Sequence, residues 1–258
     1  MTILDELADY ARYRVEKQKE KVSLQEIKAQ ALSMPKGAFE FENALKTDDI
    51  AFICECKKAS PSKGIIAEEF PYLQIAKDYE AAGANCISVL TEPKWFLGSD
   101  DYLKEIAANV SIPCLRKDFT VDEYMIYEAK VLGAKAVLLI AAILSDDDMK
   151  KYLQICDELG MSALFEAHDE AEIKRVIACG ARIIGVNNRN LKDFSVDTNN
   201  SARLREMIPE NVIYISESGI SGAEDVRNLR AAKVDGVLIG ETLMRADDKK
   251  SKLDELKS

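Results

Sequence analysis

Short apolar runs rich in β-branched residues recur along the chain: Ala51 to Cys56, Cys86 to Leu90, Ile112 to Leu115, Ala136 to Ile140, Ala163 to Phe165, Ile183 to Val186, Val212 to Ile215 and Gly236 to Ile239. Runs this short, bounded by turn residues, predict buried strands. Their starts lie about 20 to 35 residues apart, room for a strand, a helix and two loops, which is the repeat of a parallel βα sheet. The intervening segments, such as YLQIAKDYEAAG, DDDMKKYLQICDELG and GAEDVRNLRAAK, carry apolar residues at helical spacing. Four strands are entered through a glycine, in Ala82-Gly83-Ala84, Leu132-Gly133-Ala134, Leu159-Gly160-Met161 and Cys179-Gly180-Ala181. Glycine ends a helix there by taking a left-handed conformation that other residues adopt only at steric cost.

Eight consecutive βα units without a break in composition predict the α/β class and a single closed (β/α)8 TIM barrel, with an open doubly wound sheet as the alternative. Residues 1–47 stand outside the repeat as a charged N-terminal helical extension, expected to pack across one barrel end or rim. The barrel is expected over 48–258, the whole forming one domain.

Composition narrows the partners. Net charge is −10, with 45 acidic against 35 basic residues, which opposes a nucleic-acid footprint, since phosphate backbones attract clustered Lys and Arg. The longest apolar run, Ala136 to Leu144, is far short of the roughly 20 residues a membrane helix needs. The first residues are charged throughout and do not resemble an export signal. No nucleic acid and no membrane are therefore expected as partners, and the cytoplasm is the expected location. A monomer or weak homo-oligomer is expected. The cysteines at 54, 56, 86, 114, 156 and 179 read as buried reduced thiols. Cys54-x-Cys56 has no second Cys or His pair beside it, so no metal site is predicted.

In such barrels the chemistry sits at the C-terminal ends of the strands. Here apolar runs end in Glu55-Cys56-Lys57, Arg116-Lys117-Asp118, Glu166-Ala167-His168, Asn187-Asn188-Arg189 and Glu217-Ser218-Gly219. Side chains alternate along a strand, so Glu55 shares a face with Lys57, Lys117 with Leu115, Glu166 with Leu164, Asn187 with Gly185, and Glu217 with Ile215. Glu55, Lys57, Lys117, Glu166 and Glu217 are thereby expected to converge on one concave site. Ammonium and carboxylate groups packed together shift one another's pKa and divide acid and base roles, a setting for proton transfer at a carbonyl or enamine. Cys54 and Cys56 fall on the opposite face, against the helices. Ser218-Gly219-Ile220 and Gly240-Glu241-Thr242 follow the last two strands, where backbone N–H groups and helix N-termini suit a phosphate. The Glu241 carboxylate is expected to point away from that anion. The solitary His168 is expected to turn away from Glu166 and to pack or hydrogen-bond within its loop.

The segment Glu55-Cys56-Lys57-Lys58-Ala59-Ser60-Pro61-Ser62-Lys63-Gly64 resembles the signature of the indole-3-glycerol-phosphate synthase family. Leu90-Thr91-Glu92, Phe96-Leu97-Gly98-Ser99, Leu115-Arg116-Lys117-Asp118-Phe119, Glu166-Ala167-His168, Gly185-Val186-Asn187-Asn188-Arg189, Ser216-Glu217-Ser218-Gly219-Ile220 and Ile239-Gly240-Glu241 resemble further family motifs in the same order, over nearly the whole chain. Cys54, Cys56 and Asn188 depart from the family pattern without removing a catalytic group.

The resemblance implies a carboxy-lyase of tryptophan biosynthesis. Its reaction closes an indole ring on 1-(2-carboxyphenylamino)-1-deoxyribulose 5-phosphate, a small phosphorylated substrate, with loss of carbon dioxide and water and no cofactor or metal. It further implies Lys117 as general acid at the ketone, with Glu55 close by, and Glu166 as base. Lys57 would contact the substrate carboxylate or phosphate and assist the dehydration, a catalytic residue with Lys117, Glu166 and Glu55. Asn187, Arg189, Glu217 and Ser218 would position the substrate, while Gly219, Gly240 and Glu241 would hold phosphate through backbone N–H groups. The alternatives are another phosphate-binding barrel of the pathway, phosphoribosylanthranilate isomerase or the tryptophan synthase α subunit, and a catalytically silent ligand-binding barrel. The first two are expected to lack the Glu55 to Gly64 segment, and the intact acid and base residues oppose the last.

Overall fold

A computed structural model describes residues 2–190 and 194–258 of the chain. Eight parallel strands close into a barrel: β1 (Ala51–Cys56), β2 (Cys86–Leu90), β3 (Cys114–Lys117), β4 (Ala136–Ile140), β5 (Ser162–Ala167), β6 (Ile183–Asn187), β7 (Ile213–Glu217) and β8 (Gly236–Ile239). Each pairs with the next in sequence, and β8 closes on β1 with Ala51 opposite Gly236. The open-sheet alternative is thereby excluded.

Strand alternation divides the core in two. Phe52, Cys54, Cys56, Val89, Val137 and Phe165 pack outward with the surrounding helices. Ile53, Leu115, Leu138, Leu164, Ile183, Ile215 and Leu238 fill the barrel interior. β3 begins two residues later than its apolar run and ends two later. Pro113 has no N–H to donate, so pairing starts at Cys114, and it continues through Arg116 and Lys117 although those residues are charged.

The N-terminal segment reaches both ends of the barrel, not one. Helix α1 (Ile3–Lys19) starts at Thr2, which forms a reciprocal capping box with Asp5. Its Leu7 and Ala11 join the cluster that fills the barrel. Arg14 donates two hydrogen bonds, of 2.6 and 3.1 Å, to the Asp118 carboxylate just past β3, so α1 lies across the C-terminal mouth. Helix α2 (Leu24–Ser33) runs down the side against the helix Glu123–Val131. Helix α3 (Glu40–Ala44) seals the base, where Phe41 and Leu45 join the same interior cluster. Gly37 N–H donates to the Leu159 carbonyl and Phe39 N–H to that of Gly160, at the entrance to β5. A Cβ on Gly160 would stand 2.0 Å from the Gly37 carbonyl oxygen, so the plug seats only against glycine.

Candidate active site

The strand ends carry charge into the mouth of the barrel, and in β3, β5, β6 and β7 backbone pairing persists past the apolar run. Glu55, Lys57, Lys117, Glu166, Asn187, Arg189, Glu217, Ser218, Gly219, Gly240 and Glu241 all line one cavity of ≈ 470 Å³. Its walls add apolar residues that strand-end reasoning alone did not assign: Leu7 from α1, Phe96 and Phe119 from the loops after β2 and β3, and Leu138 and Ile140 from β4. The cavity is thus charged at its floor and apolar at its side.

Lys117 is the hub. Its Nζ lies 3.1 Å from Glu166 Oε2 and 3.3 Å from Glu217 Oε2. Burial opposes its charge, but Glu166, Glu217 and Glu55 outweigh that and drive its pKa well above the usual lysine range. Burial likewise opposes ionisation of Glu166, yet Lys117 and then His168 hold its carboxyl well below the usual range. Glu217 goes the other way. Burial, together with the charges of Glu166 and Glu55, pushes it up to about 7 despite Lys117. Its Oε1 is buried without a hydrogen-bond partner among the described residues. The same oxygen hangs over Gly185, where a Cβ would stand 2.1 Å from it.

Glu55 sits beside this hub but is bonded elsewhere. Its Oε1 pairs with Lys57 Nζ at 2.7 Å and its Oε2 accepts from Ser88 Oγ at 3.2 Å. Glu55 acts on Lys117 as a through-space charge, without direct contact. Ser88 was missed because a lone serine inside an apolar strand gives no signal of its own; only its register opposite Glu55 reveals it. Asn187 donates from Nδ2 to Glu166 Oε1 at 3.2 Å, and its Oδ1 accepts the Arg189 N–H.

The turn after β7 places Ser218 and Gly219 in succession in the left-handed region, at φ 68° and 83°. Such a turn exposes consecutive N–H groups on one side. At the start of the nearby helix Ala223–Ala231, Asp225 accepts from the N–H groups of Ser221 and Gly222, and the N-cap Gly222 has no side chain to cap the first turn. Gly240 has a second reason to be glycine: a Cβ there would meet Glu55 Oε1 at 2.5 Å and Lys57 Nζ at 2.8 Å. The Glu241 carboxylate, expected to point away, lies on the cavity rim, 3.1 Å from Arg245 and 3.8 Å from Lys63 of the loop after β1.

His168 corrects the sequence reading. Residues two apart in a strand share a side, and the ring turns back toward Glu166, with Nε2 3.3 Å from Oε1. All six cysteines are buried free thiols. Burial raises the Cys54 thiol to about 12, which fits packing rather than reactivity. Among the described residues no cluster of three His, Cys, Asp or Glu side chains is placed to hold a metal, and no helix is long and apolar enough to cross a membrane.

A closed parallel barrel whose mouth gathers lysines and carboxylates around a cavity with an apolar wall defines an acid–base enzyme for a small anionic substrate with an apolar part. The family model described as indole-3-glycerol phosphate synthase matches residues 4–256. Proteins of that name from Ruminiclostridium cellulolyticum, Lachnoclostridium phytofermentans and Lacticaseibacillus paracasei are 56%, 48% and 51% identical to this chain. The matches cover 99%, 99% and 96% of the chain and 98%, 99% and 96% of those proteins. The chain belongs to the indole-3-glycerol phosphate synthase family. Its reaction is the ring closure, decarboxylation and dehydration of 1-(2-carboxyphenylamino)-1-deoxyribulose 5-phosphate to indole-3-glycerol phosphate, a carboxy-lyase step of tryptophan biosynthesis.

Among solved structures, thiamine phosphate pyrophosphorylase from Pyrococcus furiosus is similar with TM-score 0.62 and 14% identity, covering 84% of this chain and 96% of that one. A phosphoribosylanthranilate isomerase structure from Thermotoga maritima is similar with TM-score 0.57 and 11% identity, covering 81% and 96%. At these identities the likeness is one of fold alone.

Proposed function

We propose that Lys117 and Glu166 carry the proton transfers of this reaction, Lys117 as acid and Glu166 as base. Ring closure joins the aromatic carbon bearing the carboxylate to the ketone carbon, and the ketone oxygen becomes an alkoxide. An ammonium held charged by its carboxylate neighbours, at the floor of the cavity, stabilises that oxygen and supplies its proton. Loss of carbon dioxide restores the aromatic ring. Dehydration then takes the hydroxyl, with a second proton, as water and removes one proton from the adjacent methylene carbon. Glu166, held ionised by Lys117, accepts that proton. The observation that carries this reading is Lys117 Nζ within 3.3 Å of both Glu166 and Glu217 at the floor of the cavity.

The remaining assignments follow position. Lys57, at the edge of the cluster beside Gly240, meets the substrate's carboxylate or phosphate. Asn187, Arg189, Glu217 and Ser218 orient its hydroxyl and carboxylate groups. The N–H groups of Gly219, Gly240 and Glu241 take the phosphate, aided by Lys63 and Arg245, which flank the same rim. The apolar wall of Leu7, Phe96, Phe119 and Leu138 takes the aromatic ring. Six buried free thiols suit the reducing cytoplasm.

The test follows the fluorescent indole product in steady state. Glu166→Gln is expected to lower kcat about 100- to 10,000-fold, the usual contribution of an acid–base group, while KM changes little. Wild-type kcat in that variant removes Glu166 from the proposed role.

A further inference from the structure

His168 lies just past β5 and does not line the substrate cavity. Its ring is nonetheless held between two carboxylates. Nδ1 is 3.1 Å from Glu172 Oε2, which also accepts the His168 backbone N–H at 2.8 Å. Nε2 faces Glu166 Oε1 at 3.3 Å, a charge–charge contact rather than an aligned hydrogen bond. Glu172 belongs to the first turn of the helix Glu170–Ala178, whose N-cap Asp169 adjoins His168. The strand end and the helix start are therefore joined through this ring.

The two oxygens of Glu166 are divided between two sets of partners. Oε2 faces Lys117, whereas Oε1 meets Asn187 Nδ2 and the His168 ring. An imidazole with a carboxylate facing each nitrogen is attracted by both as the imidazolium, with a proton on each nitrogen. Burial disfavours that charge, but Glu166 and Glu172 overcome it and raise the His168 pKa to about 10.

We infer that His168 is a positioning residue for the family's reaction: gripped by Glu172, its imidazolium fixes the Oε1 edge of Glu166 so that Oε2 is presented to Lys117 and the substrate. The inference rests on Glu166 as the proton acceptor proposed above. A second cavity of ≈ 410 Å³ lies behind the ring, lined by His168, Glu172, Asn187 and Arg189 among others. In His168→Ala the space left by the ring adjoins this cavity, through which a small added cation is expected to reach it.

The decisive experiment is chemical rescue. His168→Ala is expected to lower kcat about 10- to 100-fold, the scale of a slightly misplaced reacting group, with KM unchanged. Added imidazole restores kcat saturably, and thiazole, of similar shape but uncharged at the assay pH, does not. Glu172→Gln, remote from the substrate cavity, lowers kcat in the same sense by a smaller factor. Wild-type kcat in His168→Ala overturns the inference, as does a loss that imidazole fails to restore or that thiazole restores equally. Should His168→Ala not fold, wild-type kcat in Glu172→Gln overturns it. Glu166→Gln measured in parallel separates the two readings. If Glu166→Gln is crippled and His168→Ala is not, only the positioning role falls; if Glu166→Gln keeps full turnover, the base assignment falls.

Discussion

Arg116 and Lys117 are consecutive on β3 and each meets two carboxylates, yet the pleat sends them to opposite faces. Arg116 points outward into the helix layer. There its guanidinium reaches Asp100 and Glu128 at 2.7 Å each, the Met125 carbonyl at 3.0 Å and Thr91 Oγ1 at 3.3 Å, and only 2% of the residue is exposed. Its planar donors are nearly all matched, so it ties the strand to two helices and has nothing left to offer a ligand. Lys117 points inward to Glu166 and Glu217, lines the cavity and keeps 15% of its side chain exposed. An ammonium has three donors, and among the described residues two carboxylates answer it. The outward cluster is saturated and structural. The inward one leaves bonding capacity facing a space of substrate size.

Exchanging the two losses breaks or upholds this contrast most sharply. Lys117→Met is expected to cut turnover about 100- to 10,000-fold while the fold persists, because the freed carboxylates border an open cavity and can take up a proton. Arg116→Met is expected to cost about 1 to 3 kcal/mol of stability, since it removes the charge-assisted hydrogen bonds by which a buried guanidinium ties the strand to two helices. Its folded fraction retains turnover. Steady-state kinetics and denaturant unfolding on both variants check this. If Lys117→Met were the unstable one and Arg116→Met the inactive one, the division would be wrong.

That contrast was half legible in the sequence. Periodicity located all eight strands, and parity alone separated Lys117 from Arg116 and sent Cys54 and Cys56 to the helix side. Parity works because a one-residue slip would reverse every side chain of a strand buried on both faces. Three kinds of feature stayed hidden. Strand ends such as Arg116-Lys117 outlast their apolar runs, because backbone pairing does not depend on side-chain polarity. The partition of the first helices between mouth and base depends on single long-range contacts, Arg14 to Asp118 and Gly37 to Leu159, which no local pattern encodes. His168 turns toward Glu166 rather than away from it, as a spacing of two residues along an extended chain allows.

Glu217 sharpens the contrast at a somewhat smaller scale. Its pKa of about 7 in the folded protein exceeds the ordinary 4.5. Below pH 4.5 both folded and unfolded states are protonated and the residue has no effect. Between 4.5 and 7 the unfolded chain ionises first, so the folded state holds the extra proton and stability falls as pH rises. Above pH 7 the cost is complete, on the order of 3 kcal/mol at about 1.4 kcal/mol per pKa unit. Glu217→Gln lacks that titration. Unfolding free energies at pH 5 and pH 8 should therefore show the variant gaining on the parent toward high pH. An unchanged difference at the two pH values would mean that Glu217 is fully compensated, as Arg116 is, and the two clusters would then be alike.

The smallest expected effect is at Gly185, and it separates the two kinds of packing most finely. A Cβ there would stand 2.1 Å from Glu217 Oε1 and 3.2 Å from Leu164 Cδ1. The first of these atoms is the end of a side chain with room to swing toward the cavity. Gly185→Ala is therefore expected to cost only about 1 kcal/mol of stability, at the low end for an added methyl group in a packed interior. The displaced carboxylate, however, leaves its place beside Lys117, so the loss falls mainly on turnover and substrate affinity. Measured together, a thermal midpoint lowered by a few degrees and a several-fold drop in kcat/KM support that reading. A large loss of stability with intact kcat/KM would instead show the Glu217 carboxylate to be as rigidly built in as the partners of Arg116.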